Sequence, residues 1–168
     1  MNRMLRILLP VLLVACFLQA EAQILTPAKI TTKASSTEVK AGEEIELVFS
    51  ATIDAGWYLY TLGFDTTCGP IPISIKLEKN STFETVGELT AINDKKKFDE
   101  AFECDVRIFE GKGEFRQKIR VLGNNPVIKG IYEIQVCTEG RCVSLDGDIV
   151  VAGLKVTGGT TPDILSTP

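Results

Sequence analysis

The chain has 168 residues, with 22 acidic against 18 basic side chains and no histidine. A net charge of −4 argues against nucleic acid as a partner. Without imidazole there is no Ser-His-Asp or Cys-His arrangement, no histidine general base and no histidine metal ligand.

The first segment reads as an export signal. Arg3 and Arg6 precede an apolar run from Ile7 to Leu18, and Ala20-Glu21-Ala22 gives a small-x-small cleavage pattern. Residues 1–22 are thus expected to be removed, leaving 16 basic and 21 acidic residues, a net charge of −5. Leu13-Val14-Ala15-Cys16 also fits a lipobox, with Cys16 as the lipidated residue; the apolar Phe17 and Leu18 beyond it favour the first reading. No other stretch approaches the ~18–20 apolar residues that span a bilayer.

From residue 23 onward the pattern is β. Glu44–Ile53 alternates, with Ile45, Leu47, Phe49, Ala51 and Ile53 on one side. Asp54-Ala55-Gly56 is a turn, and Trp57-Tyr58-Leu59-Tyr60 reads as the next strand, with Tyr58 and Tyr60 sharing a face. Gly63–Pro72 is irregular; Ile73, Ile75 and Leu77 mark another strand, and Phe83–Leu89 a weaker one. Lys95–Phe102 interrupts the pattern with charge and reads as an exposed loop. Val106–Phe109 and Phe115–Leu122 look like hairpin strands around Glu110-Gly111-Lys112-Gly113. Gly130–Val136 runs toward Cys137, and Ile149–Val156 reads as the final strand. Eight or nine short strands without an amphipathic helix predict an all-β, antiparallel sandwich. It would span residues 23–156, with a flexible tail over 157–168.

Beyond Cys16 there are four cysteines: Cys68, Cys104, Cys137 and Cys142. An even number in an exported chain predicts disulfides rather than zinc. The turn Glu139-Gly140 brings Cys137 and Cys142 within reach of each other, which leaves Cys68 with Cys104. The 36-residue separation of Cys68 and Cys104 makes that bridge worth about 3–4 kcal/mol in the chain-entropy picture. The small 137–142 ring gains less, and its local sequence fits a hairpin staple as well as a reversible dithiol. Arg141 would favour a thiolate at Cys142, and Glu139 would oppose it.

Several segments resemble, in order, one known family. They are Gly56-Trp57-Tyr58-Leu59-Tyr60, Gly69-Pro70-Ile71-Pro72, Phe98-Asp99-Glu100-Ala101-Phe102, Phe109-Glu110-Gly111-Lys112, and Tyr132–Cys137 with Cys142. The set is similar to the N-terminal periplasmic domain of the thiol:disulfide interchange protein DsbD, in a Bacteroidetes-like, stand-alone form. The resemblance implies an immunoglobulin-like β-sandwich in the periplasm that carries electrons on a cysteine pair and needs no cofactor or metal. The implied donor is a thioredoxin-like or membrane thiol reductase, and the implied acceptor is a periplasmic disulfide isomerase or similar thiol protein. It also implies that Cys142 forms mixed disulfides and Cys137 resolves them. A cap of Asp99, Glu100, Ala101 and Phe102 would cover the pair, and Tyr58 and Tyr60 would line the site. The chain departs from the family at Val143-Ser144-Leu145, where prolines are usual, and at Ala101, where a bulky residue is usual. Cys68 and Cys104 are additions. The competing expectation is a non-redox binding or structural module with two stable disulfides.

Overall fold

The structure is a computed structural model that describes residues 25–158, with the Cys68 side chain excepted. The export signal over 1–22, Cys16 and the tail beyond residue 158 lie outside the described residues. Twelve strands form among the described residues. They are β1 (Ala28–Ala34), β2 (Glu38–Lys40), β3 (Glu44–Ile53), β4 (Tyr58–Tyr60), β5 (Ser74–Leu77), β6 (Phe83–Ile92), β7 (Lys95–Asp99), β8 (Cys104–Glu110), β9 (Lys112–Val121), β10 (Ile128–Thr138), β11 (Arg141–Val151) and β12 (Lys155–Thr157). One sheet runs β1-β3-β9-β6. The other runs β11-β10-β4-β8-β7, with β5 also paired to β10. β2 and β12 form a small parallel pair at one end.

The two large sheets pack face to face as an antiparallel, immunoglobulin-like sandwich. Its interior is what the alternation of β3 predicts: Leu47, Phe49, Ala51 and Ile53 are buried against Leu59, Phe109, Ile134, Val136 and Ile149 of the facing sheet. Phe115 of β9 meets Phe109 of β8 edge to face, with ring centroids 5.1 Å apart. Such aromatic pairs add about 0.5–1.5 kcal/mol to the value of the buried area.

That contact corrects one expectation. The Glu110–Gly113 turn does not close a hairpin, because β8 pairs with β4 and β7 while β9 pairs with β3 and β6. The chain crosses from one sheet to the other there, through Gly111 at φ 66°. A turn signal gives a change of direction but not the sheet in which the next strand lands. Two more corrections have similar origins. Lys95–Asp99 is a strand paired with β8, rather than an exposed loop. The final long strand starts at Arg141 and ends at Val151, and Gly153 at φ 79° separates it from the short β12.

The crossing yields a test. A Cβ on Gly113 would overlap the Phe109 ring, which is buried and wedged against Phe115. Gly113→Ala should therefore destabilise the fold by roughly 1–3 kcal/mol, the usual range for overpacking. It should be read as a lower urea midpoint with an unchanged m value. An unchanged midpoint would show that the sheets can separate locally without cost.

Candidate functional site

The site is built on the outer face of the six-stranded sheet, opposite the sandwich interior. Alternation along β4 decides this: Leu59 enters the main core, while Tyr58 and Tyr60 point to the outer face. Register carries the same face to the neighbouring strands. Tyr58 is opposite Cys137 of β10, and Tyr60 is opposite Ile108 of β8. Tyr60, Val106, Ile108 and Cys137 form a second, smaller buried cluster, flanked by Tyr58, Phe64, Phe102 and Cys104.

Cys137 and Cys142 are directly opposed in the β10–β11 hairpin, one pair in from the Glu139-Gly140 turn. Gly140 takes the positive φ (79°) that this turn requires at its second position. The sulfurs are bonded, with Cα atoms 4.1 Å apart, as suits a non-hydrogen-bonded position of an antiparallel ladder. The two sulfurs differ in surroundings. Cys137 lies on an inner strand, paired on both sides, and is 1% exposed. Cys142 lies on β11, at the end of the sheet's strand order, and is exposed.

Facing them is the β7–β8 hairpin, in which Asp99 is opposite Cys104 and residues 100–103 form the tip. Asp99 is 1% exposed. Its Oδ2 accepts hydrogen bonds from the Tyr60 hydroxyl at 2.6 Å and the Tyr58 hydroxyl at 3.2 Å. Its Oδ1 accepts from the backbone N–H groups of Ala101 at 3.0 Å and Phe102 at 3.3 Å. Burial works against the carboxylate charge, but the Tyr60 hydroxyl, the Phe102 amide, the Tyr58 hydroxyl and the Ala101 amide outweigh it and hold the pKa below the usual value. Burial, reinforced by hydrogen bonding to Asp99, pushes the Tyr60 phenol far above its ordinary range. Burial also raises Tyr58.

Phe102 closes the cap. Its ring lies 6.2 Å from Tyr60, edge to face, and a Cβ on Gly69 would overlap it. Lys97 sits over the Tyr58 ring at 5.0 Å. The resulting cleft of about 590 Å³ is lined by Tyr58, Tyr60, Asp99–Phe102 and the hairpin turn through Cys142. Glu100 and Ala101 are exposed on its rim. Among the described residues, no group of three or more Cys, Asp or Glu is placed to hold a metal ion. A second cleft of about 430 Å³, between β5 and β6, is lined by none of these residues.

The structure thus brings together Cys137, Cys142, Tyr58, Tyr60 and the 99–102 cap. Asp99, taken from the sequence alone, would be an ordinary solvated acid; it is instead the buried hub of the site. Cys104 is disulfide-bonded and flanks the small cluster at the base of the cap. Sequence reasoning missed Lys97, Phe64 and the Asp94–Arg107 ion pair. In that pair Asp94 accepts from the Arg107 guanidinium and from the Thr61 hydroxyl at 2.6 Å, fastening β7 at its start.

Comparison with known proteins follows this geometry. A family model described as "Thiol:disulfide interchange protein DsbD, N-terminal" matches residues 21–152. The chain belongs to that family. No curated protein matches it. Among solved structures, the N-terminal periplasmic domain of ScsB from Proteus mirabilis has 11% identity and a TM-score of 0.54. That match covers 80% of this chain and 51% of the ScsB chain, so this chain spans about half its length. The reduced DsbD N-terminal domain of Neisseria meningitidis has 19% identity and a TM-score of 0.47, covering 68% of this chain and 80% of that one. A complex of the DsbD and PilB N-terminal domains from the same organism has 16% identity and a TM-score of 0.45, with 76% and 87% covered. The ScsB likeness supports the fold. The DsbD family match identifies a thiol:disulfide interchange domain.

The Asp99 hub carries a pH dependence with a definite sign. Its pKa is lower folded than unfolded, so its stabilisation is complete above the unfolded value of about 3.9 and is lost as pH falls through the depressed folded value. Asp99→Asn should cost on the order of 1–3 kcal/mol at pH 7, the usual loss for a broken buried hydrogen-bond set. The gap to the wild type should narrow as pH falls below about 4. Denaturant titrations of both proteins between pH 7 and pH 2 would measure it. A gap independent of pH would mean that the charge does not contribute.

Proposed function

We propose that this domain passes electrons between protein thiols through Cys142 and Cys137 in the periplasm, with no cofactor. The observation that carries the reading is the unequal exposure of two cysteines bonded across one register pair. A thiolate on an incoming reductant attacks the exposed Cys142 sulfur. The Cys142–Cys137 bond breaks, and Cys137 leaves as the thiolate and takes a proton. A second thiol of the reductant then resolves the mixed disulfide, so two electrons have moved and the domain is a dithiol. In the forward step the Cys142 thiolate attacks an acceptor disulfide, and Cys137 displaces the acceptor from the mixed disulfide. The donor would be a thioredoxin-like or membrane thiol reductase, and the acceptor a disulfide isomerase or similar thiol protein. The cap at residues 99–102 packs, through Phe102, over the cluster that holds the buried Cys137, and leaves Cys142 exposed to partners. Residues 1–22 would direct export.

Redox titration in glutathione buffers, with alkylation and mass spectrometry for each cysteine, tests this. The 137–142 pair should titrate between about −270 and −180 mV, the range of known exchange proteins. Cys137→Ser should accumulate mixed disulfides, and Cys142→Ser should form none. A potential below about −300 mV would make the bridge a structural staple and the domain a non-redox binding module.

We also assign Cys68 as the partner of Cys104, which would clasp the Gly63–Pro72 segment to the base of the cap. The double variant Cys68→Ser/Cys104→Ser should then lose about 3–4 kcal/mol of stability. Its cysteine pair should also react faster with small thiols, because the cap is less restrained. Peptide mapping that finds Cys104 bonded elsewhere would overturn the assignment.

A further inference from the structure

We propose that Ile71 is a preformed apolar anchor on the rim of the exchange site, on which a folded thiol protein docks while its sulfur bonds to Cys142. The proposal rests on the redox reading of the pair and adds the surface by which a protein, as distinct from a small thiol, is recognised.

Ile71 is 58% exposed. A single exposed aliphatic side chain is ordinary on any protein, so exposure alone decides nothing. Position and rigidity set this one apart. Its N–H donates to Gln135 Oε1 at 2.6 Å. Gln135 stands two residues before Cys137 on β10, on the same face of the sheet, opposite Ser144. At ~3.3 Å of rise per residue the Gln135 backbone is about 7 Å from that of Cys137. The opposite end of the same short segment, Gly69, lies under the Phe102 ring of the cap. Residues 69–72 thus run from the cap to the strand that carries Cys137, beside the cleft and outside its lining.

The segment is held in place. Pro70 and Pro72 fix φ on either side of Ile71. Pro70 and Ile73 are buried, and the Ile73 N–H donates to the Thr61 carbonyl at 3.3 Å, tying the two ends of the excursion together. An apolar group presented this way loses little conformational entropy on binding, and that is what makes an anchor effective.

Phe98, Ile131 and Val150, the large exposed apolar side chains carried on the strands of the same sheet, do not share this placement. Phe98 alternates with Asp99 and points to the face away from the cleft. Ile131 and Val150 share the outer face but lie six and eight residues from Cys137 and Cys142 along their strands, about 20 and 26 Å away. A folded protein whose sulfur reaches Cys142 would cover the surface around it, and Ile71 is a large, exposed apolar side chain held beside the strand of Cys137. The occupant is a folded protein with a reactive cysteine beside an apolar surface.

The experiment follows reduction of the oxidised domain by reduced thioredoxin and, separately, by dithiothreitol. In both reactions the domain disulfide becomes a dithiol and the reductant dithiol becomes a disulfide. Ile71→Asp should slow the thioredoxin reaction about tenfold, equal to about 1.4 kcal/mol. It should leave the dithiothreitol rate and the redox potential unchanged, and Ile71→Leu should keep the wild-type rate. Equal slowing with both reductants would mean that Ile71 supports the site rather than docking, and would overturn the proposal. So would an unchanged thioredoxin rate, or a wild type that dithiothreitol reduces and thioredoxin does not. A wild-type pair that resists both reductants would instead overturn the redox reading itself.

Discussion

Strand register is the constraint on which the site depends. Cys137, Tyr58, Tyr60, Asp99 and Cys104 come from four strands, yet all project from one face of one sheet. The other face is filled by Leu59, Phe109, Ile134 and Val136. A slip of one residue in β4 or β10 would turn the tyrosines and the cysteine into the sandwich core and expose the aliphatic residues. Burial of the main core therefore fixes the geometry of a site that lies outside it. The chemistry adds little to the stability of the fold and is positioned by it.

Within that frame one carboxylate joins two layers. Asp99 Oδ2 is occupied by the tyrosines of the sheet floor, and Oδ1 by the amides of the cap. Burying an isolated carboxylate costs several kcal/mol. Four hydrogen bonds to a charged acceptor, each worth about 1.5–3 kcal/mol, are enough to offset it. The arrangement separates what can move from what cannot. Opening the cap would give up only the two backbone bonds and the Phe102 packing, while both tyrosine hydroxyls would stay on Asp99 Oδ2. The Asp94–Arg107 pair holds the far end of β7 in the same way, so the tip at residues 100–103 is the natural place for displacement.

Much of this was legible in the sequence, and what was not has identifiable causes. β3 and β4 follow from period-2 alternation of apolar residues, and the cysteine hairpin follows from a turn between two cysteines. The family's ordered motifs pointed to Tyr58, Tyr60 and the 99–102 segment. β7 was hidden because Lys95, Lys96 and Lys97 carry no apolar signal, and because its buried member is an acid whose partners are tyrosines about 40 residues away in sequence. β1 was missed because Thr31-Thr32-Lys33 dilutes its alternation. The β8–β9 crossing was misread because local turn chemistry says nothing about long-range pairing. Gln135 is unremarkable until the fold brings Ile71 to it.

The two disulfide positions differ in what they do for the fold. The 137–142 bond closes a ring whose residues are already held opposite each other by an eleven-pair hairpin, and β10 is further paired with β4 and β5. Cutting it releases little chain entropy, about 2 kcal/mol in the loop-closure picture. It also leaves both cysteines in register, so the proposed cycling between disulfide and dithiol would not require unfolding. A bridge across the 36-residue separation of Cys68 and Cys104 would behave otherwise, because it restrains a long excursion whose loss is felt by the whole fold. The proposed electron transfer suits the bond that the fold can lose at least cost, and that is the bond whose outer cysteine is exposed.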